Sequence, residues 1–291
     1  MKLWDLYQLG AAELSENMDE GTASFETYCL LEHLFGWNRH DVQLCRDFPV
    51  AELLEERFRS LLERRKSGYP LQYLLGSWEF WGYEFAVGEG VLIPRADTET
   101  LCEAVLEAAK EFDSPVIADL CSGSGCLPVV FSKEIPKAKR IYAVELSEDA
   151  LPYLKRNVEL NDCKNLTVLH QDVLTWIPQE PLHIISSNPP YLSYEEMKEL
   201  QTEVTYEPKM ALEAPENGLY FYRVLSDRYR EFLVDGGVLA FEVGWTQAEA
   251  VANLMKQFGY SDIRILRDLP GNERVVIGRF YKAQEASLCT R

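Results

Sequence analysis

Histidine is scarce in this chain and cysteine is unpatterned. The 291 residues include four histidines, His33, His40, His170 and His183, which complete no zinc pattern. Seven cysteines occur, at 29, 45, 102, 121, 126, 163 and 289; the number is odd and no Cys-x-x-Cys is present. A disulfide framework and a structural zinc site are therefore set aside, and reduced, mostly buried thiols in a cytoplasmic protein are expected, with no metal. Positive charge is in deficit too. Net charge is −18, from 29 Lys+Arg against 47 Asp+Glu. Residues 1–70 hold 8 basic against 13 acidic side chains, which leaves 21 against 34 for the remainder. Neither part is a basic arm, which argues against a phosphate-tracking protein and against stable nucleic-acid binding. No apolar run approaches the ~20 residues that span a bilayer, so no membrane association is expected. The opening MKLWDLYQLG reads as neither a signal nor a transit peptide. Internal repeats and low-complexity tracts are absent.

What is present falls into parts. Residues 1–66 read as a small helical bundle: Leu3, Leu6 and Tyr7, then Phe25 and Cys29, then Leu31, Leu34 and Phe35, then Leu54, Phe58, Leu61 and Leu62 recur at helical spacing and read as its core. Arg57, Arg59, Arg64 and Arg65 lie beside the last stripe and read as a solvated face, or as a docking surface for an acidic partner. Residues 67–95 alternate aromatic and polar side chains around Gly82, which reads as a β-hairpin. From Val116, apolar strands at Val116–Leu120, Arg140–Glu145, Leu166–Gln171, His183–Ser187 and Val238–Val243 alternate with helical stretches near 126–134, 148–160, 195–202, 218–233 and 246–258. This alternation predicts a parallel sheet covered by helices on both faces. Asp262–Arg267 and Arg274–Phe280, joined by a short turn, add a last strand that runs antiparallel. The domains expected are 1–70 helical, 71–95 hairpin linker, 96–283 α/β and 284–291 tail.

Ligands of such sheets bind beyond the carboxyl ends of the strands, and four features fall there in succession. Cys121-Ser122-Gly123-Ser124-Gly125 follows the first strand. It fails the dinucleotide fingerprint, since Pro128 stands where a glycine is needed, and it has no P-loop Lys-Ser/Thr pair. Alone, it fits a structural turn as well as a cofactor loop. Glu145 ends the second strand, where a carboxylate can accept ribose hydroxyls or merely begin a helix. Asp172, with Val173, ends the third; it can accept from an adenine amino group or cap a turn. Asn188-Pro189-Pro190-Tyr191 follows the fourth. Together the four fit a site for S-adenosylmethionine beside a loop that reads an amide. A planar amide nitrogen is a poor nucleophile, so positioning must carry much of the rate. The Asn188 side-chain oxygen and the Pro189 carbonyl are acceptors for an NH₂. Pro189 and Pro190 offer no competing N–H, and Tyr191 offers a flat face.

These residues, with YPLQYLLGSWEFWG (69–82), LIPRADTE (92–99), DLCSGSGC (119–126), VELS (144–147), SNPPY (187–191), YEP (206–208) and GNERV (271–275), resemble the HemK/PrmC family of N5-glutamine methyltransferases over nearly the whole chain. The resemblance implies a class I, Rossmann-like, seven-stranded methyltransferase domain, last strand antiparallel, behind a helical domain and a hairpin linker. It implies methyl transfer from S-adenosylmethionine, giving S-adenosylhomocysteine, to the glutamine of the Gly-Gly-Gln motif of class I peptide chain release factors, by a cytoplasmic monomer. Carried over, Cys121 to Gly125 wrap the methionine part of the donor, Glu145 holds its ribose, Asp172 and Val173 flank its adenine, and Asn188 to Tyr191 hold the glutamine. Arg95, Asp97, Thr98 and Glu99 shape the methionine side, although Asp97 or Thr98 serves equally as a helix cap. Cys121 replaces the family's first loop glycine and strains the loop if φ there is positive. Methylation of a ribosomal-protein glutamine or of a nucleic-acid amino group are the alternatives.

Overall fold

The structure, a computed structural model, describes residues 1–282. The expected tail, 284–291, and residue 283 lie outside the described residues, as does Cys289. Two compact units divide the chain. One comprises Met1–Trp78, Val87–Glu89 and Gln201–Tyr206; the other comprises Glu79–Ala86, Gly90–Leu200 and the described residues from Glu207 to Lys282.

The first unit is built on α1 (Leu3–Leu14), α2 (Glu20–Phe35), α3 (Arg39–Leu44), α4 (Glu52–Lys66) and α5 (Leu71–Leu75). Helix starts follow their polar side chains: Asp19 accepts the Thr22 N–H at 3.0 Å, and Asn38 and Asp41 form a reciprocal capping box. Leu3, Leu6, Leu14, Leu30, Leu31, Phe58 and Leu62 are buried. Two expectations are corrected. Phe25 is 47% exposed, because the buried face of α2 runs through Ala23, Thr27, Leu30 and Leu31 and Phe25 projects from the opposite side. Arg65 is not on a solvated face. It is buried and grips Glu26 with two hydrogen bonds, Nε to Oε2 at 2.5 Å and Nη2 to Oε1 at 2.9 Å, while Nη2 also reaches Glu203 at 3.0 Å. Its place in the last turn of α4 turns it inward, where a forked cation meets two carboxylates.

A hairpin of β1 (Ser77–Phe80) and β2 (Tyr83–Ala86) turns at Trp81-Gly82, both at positive φ, as a tight two-residue hairpin requires. The second unit then forms α6 (Glu99–Ala109), β3 (Val116–Leu120), α7 (Cys126–Glu134), β4 (Arg140–Glu145), α8 (Leu151–Leu160), β5 (Leu166–His170), β6 (Leu182–Ser187), α9 (Tyr220–Tyr229), β7 (Leu233–Glu242), α10 (Ala248–Gln257), β8 (Tyr260–Arg267) and β9 (Glu273–Phe280). The sheet order is β5-β4-β3-β6-β7-β9-β8, and β9 runs antiparallel to both of its neighbours. The last strand is thus antiparallel as expected, and it is inserted between β7 and β8 rather than added at the edge. On one face, Leu101 and Val105 of α6 and Val129 and Phe131 of α7 pack on Ile117, Ile184 and Val238. On the other, Tyr222 and Leu225 of α9 and Val251 and Met255 of α10 pack on Leu120, Ile185 and Phe241. Residues 195–202, expected as a helix, form 3₁₀ turns at Glu196–Lys198 and Thr202–Tyr206. Neither turn buries a residue, and a short segment with no buried apolar stripe lacks the packing that sustains an α-helix.

Candidate active site

Strand register brings the site together. Leu120 of β3 pairs with Val144 and with Ser187, and Ser187 pairs in turn with Phe241. One residue further on, Cys121, Glu145, Asn188 and Glu242 therefore stand along one edge. The chain crosses over between β3 and β6, which is where an open α/β sheet leaves a crevice. A cleft open to solvent lies there. Of the residues anticipated from sequence, it is lined by Cys121, Gly123, Glu145, Asp172, Val173, Asn188 and Pro190. A smaller adjoining recess is lined by Arg95, Thr98, Cys121, Ser122, Gly123, Ser124 and Asn188.

The loop after β3 turns through positive φ at Cys121 (63°), Gly123 (54°) and Gly125 (83°). Cys121 is therefore the strained position, since the left-handed region costs an L-residue roughly 1–2 kcal/mol. Its thiol, and that of Cys126, are pushed up by burial, that of Cys126 to about 12; both cysteines are free. Glu145 is buried and held by the backbone: Gly123 N–H donates to Oε2 at 2.7 Å, and Leu146 and Ser147 N–H donate to Oε1 at 2.8 and 2.7 Å. Three of its roughly four acceptor positions are thus taken, so its carboxylate is rigid and keeps about one for a ligand hydroxyl. Asp172 lines the cleft and also accepts the Leu174 N–H at 2.8 Å, so the turn and cleft roles coexist.

Asn188 is half-buried, with Nδ2 pointing at Thr98 Oγ1 at 3.5 Å. Pro189 and Pro190 are buried, and only Pro190 reaches the cleft. Tyr191 departs from expectation. It lines neither cavity and is no exposed ring: it is half-buried against the core on the α9 face, and burial pushes its phenol up. Its backbone is clamped. The N–H donates to Leu212 O at 3.1 Å, and the carbonyl accepts from Gln247 Nε2 at 2.9 Å. A Cβ at Gly218 would stand 2.0 Å from the Tyr191 carbonyl oxygen, so only glycine fits beside it. Gly125 also lines neither cavity.

The 92–99 segment is fastened by ion pairs. Glu207, buried, accepts from Arg95 and from the Ile93 N–H, the latter at 3.0 Å. Asp97 pairs with Arg274 at 3.0 Å. Thr98 occupies the N-cap position of α6 without a side-chain cap bond. Glu99 turns away, accepting the Trp81 N–H at 3.3 Å. Behind Asn188 lie two buried carboxyls. Asp119 Oδ1 accepts from Ser186 at 2.7 Å, while Asp119 Oδ2 and Glu242 Oε2 are buried without partners. Burial pushes both groups up to about 7. Sequence reading did not single out Glu242, although an acid closing an otherwise apolar strand was a usable signal. It also missed Leu146, Leu174, Met210 and Phe221 on the cleft walls. Leu146, Leu174 and Met210 are single apolar residues in loops and short turns and Phe221 lies in the first turn of α9, and nothing local marks them as lining.

The chain matches two family models, the PrmC N-terminal domain over residues 5–76 and the methyltransferase small domain over residues 96–215. It is 38% identical to the release factor glutamine methyltransferase of Thermodesulfovibrio yellowstonii, over 81% of this chain and 86% of that one. It is 36% identical to the enzyme of the same name from Salmonella typhimurium, over 86% and 90%. A solved methyltransferase from Pyrococcus furiosus superposes with a TM-score of 0.51 at 15% identity, covering 78% of this chain and 98% of that one, which supports the class I methyltransferase fold. The chain belongs to the release factor glutamine methyltransferase family.

Proposed function

We infer that this protein transfers a methyl group from S-adenosylmethionine to the side-chain amide nitrogen of a peptide chain release factor glutamine, the one in its Gly-Gly-Gln motif. The observation that carries the reading is the placement of Asn188 and Pro190 on the wall of the cleft that Cys121, Glu145 and Asp172 also line.

The residues present suit the donor. The rigid Glu145 carboxylate offers an acceptor for a ribose hydroxyl, and Asp172 one for an adenine amine. Leu146, Leu174 and Phe221 supply apolar walls for a flat ring. When bound, the donor supplies an electrophilic methyl on a sulfonium. The chain's own contribution is positional. Asn188 Oδ1, on the cleft wall, accepts from one N–H of the substrate amide; the Pro189 carbonyl, in the role the family resemblance implies although Pro189 does not line the open cleft, accepts from the other, and together they turn the nitrogen lone pair toward the methyl. As positive charge develops on that nitrogen, the same two oxygens stabilise it. The prolines present no N–H that would instead bind the amide oxygen. Tyr191 acts through its clamped backbone, which fixes the exit of the loop. The displaced proton leaves to water. The helical N-terminal unit is assigned to holding the release factor, and the enzyme to a cytoplasmic monomer without stable nucleic-acid binding.

The test offers purified release factor, ribosomal proteins and nucleic acid separately, with methyl-labelled S-adenosylmethionine, and locates the label by mass spectrometry. Label on the Gly-Gly-Gln glutamine is expected; label on a nucleobase, with none on glutamine, overturns the reading.

A further inference from the structure

Glu242 closes β7 directly beside Asn188, because Ser187 pairs with Phe241. Its side chain is buried, and Oε2 has no partner. The Thr98 and Asn188 side chains stand near enough to its carboxyl to favour the ionised form against burial, and Asn188 Nδ2 points at Thr98 Oγ1. Thr98 is itself buried and makes no cap bond to its own helix. A carboxyl, a hydroxyl and a carboxamide thus stand together at the amide-reading residue.

We propose that Glu242 and Thr98 are positioning residues that set which way the Asn188 carboxamide faces. This rests on the glutamine-methylation reading above. A hydroxyl has one proton. With Glu242 ionised, Thr98 gives that proton to the carboxylate and turns its lone pairs to Asn188 Nδ2, which leaves Asn188 Oδ1 for the substrate NH₂. With Glu242 protonated, the carboxyl donates to Thr98 Oγ1. The Thr98 proton is then free to turn toward Asn188, which favours the flipped amide and presents Nδ2–H to the substrate.

Burial raises Glu242 to about 7, so the switch lies in the working range. The groups facing it are Arg274 on β9, Asp97 before α6, Tyr191 after β6, Tyr222 on α9, Cys102 on α6 and Cys126 on α7. The phenols and thiols are pushed up by burial and stay neutral. Asp119 is also raised to about 7 and also faces Cys102 and Cys126, so assignment of a pH effect rests on removing Glu242 itself.

The experiment measures kcat and KM for methylation of a release factor across pH 6–9 in wild type, E242Q, T98V and T98S. The side-chain amide resonance of Asn188 is followed by ¹⁵N NMR in the free protein. Wild-type kcat is expected to fall as pH drops through about 7, and the Asn188 resonance to titrate with it. E242Q should lower kcat at pH 8 by about 10- to 100-fold, with KM changed less than about threefold, and should abolish both titrations. T98V should follow E242Q, and T98S should recover most of the loss. An E242Q protein with wild-type kcat, or an Asn188 resonance that titrates unchanged in E242Q, overturns the proposal. If E242Q does not fold, T98V with undiminished kcat overturns it. A wild type that leaves the release factor unmethylated overturns the functional reading alone, and the NMR titration then still decides the positioning.

Discussion

The two units bury charge in opposite ways. In the helical unit, Arg65 and Glu26 are both buried and matched, fork against carboxylate, with Glu203 adding a further acceptor. In the sheet unit, Asp119 and Glu242 are buried with an oxygen each left unpartnered. The first arrangement satisfies its desolvation cost locally and specifies how α2 and α4 meet. The second leaves the cost standing at the strand ends that carry Asn188. Unsatisfied buried polar groups are retained where an active site needs them rather than where a fold does.

The largest expected effect breaks the satisfied pair. Arg65→Ala should cost about 3–5 kcal/mol, because it strands a buried carboxylate; urea denaturation checks this, and a loss below about 1 kcal/mol would place Arg65 among exposed pairs. Next comes the unsatisfied pair. Asp119 and Glu242 are raised to about 7 in the folded chain, so between their ordinary range and about 7 the folded state binds more protons than the unfolded. Stability should therefore rise as pH falls from 8 toward 5, by about 2–3 kcal/mol for each group. Asp119→Asn should flatten its share and be more stable than wild type at pH 8, measured by denaturation at both pH values; an unchanged slope would contradict it. Third, Asn188→Ala should lower kcat about 10²- to 10³-fold, the scale of losing one transition-state hydrogen-bonding group. Calorimetry should show donor affinity largely kept; turnover at the wild-type rate would remove Asn188 from the role given it. The smallest effect concerns the loop: Cys121→Gly should raise the melting midpoint, worth up to about 1 kcal/mol, since relief of left-handed strain outweighs the added chain entropy.

The strands were legible because period and punctuation are local. Val116–Leu120 and Arg140–Glu145 coincide with β3 and β4 to the residue, each being an apolar run with clear ends. The segment near 195–202 was misread as helix, since its spacing says nothing about whether a neighbour will bury it. Phe25 and Arg65 were misassigned for the same reason. Which side of α2 faces inward, and whether a cation at the end of α4 meets an acid from residue 203, depends on partners remote in the chain. Tyr191 was placed correctly in order along the edge, yet its ring orientation was set by β7 and α9, elements that follow it.

By itself, the sequence determined the order of elements, the family, and which residues follow the carboxyl ends of β3, β4, β5 and β6, because turn-forming and donorless residues act on their own backbone. Only the tertiary structure decided that Cys121 sits at positive φ, that β9 slots between β7 and β8, and that Glu242 comes to stand beside Asn188. Those outcomes depend on strand register between distant segments, and register is a property of the packed sheet rather than of any one strand.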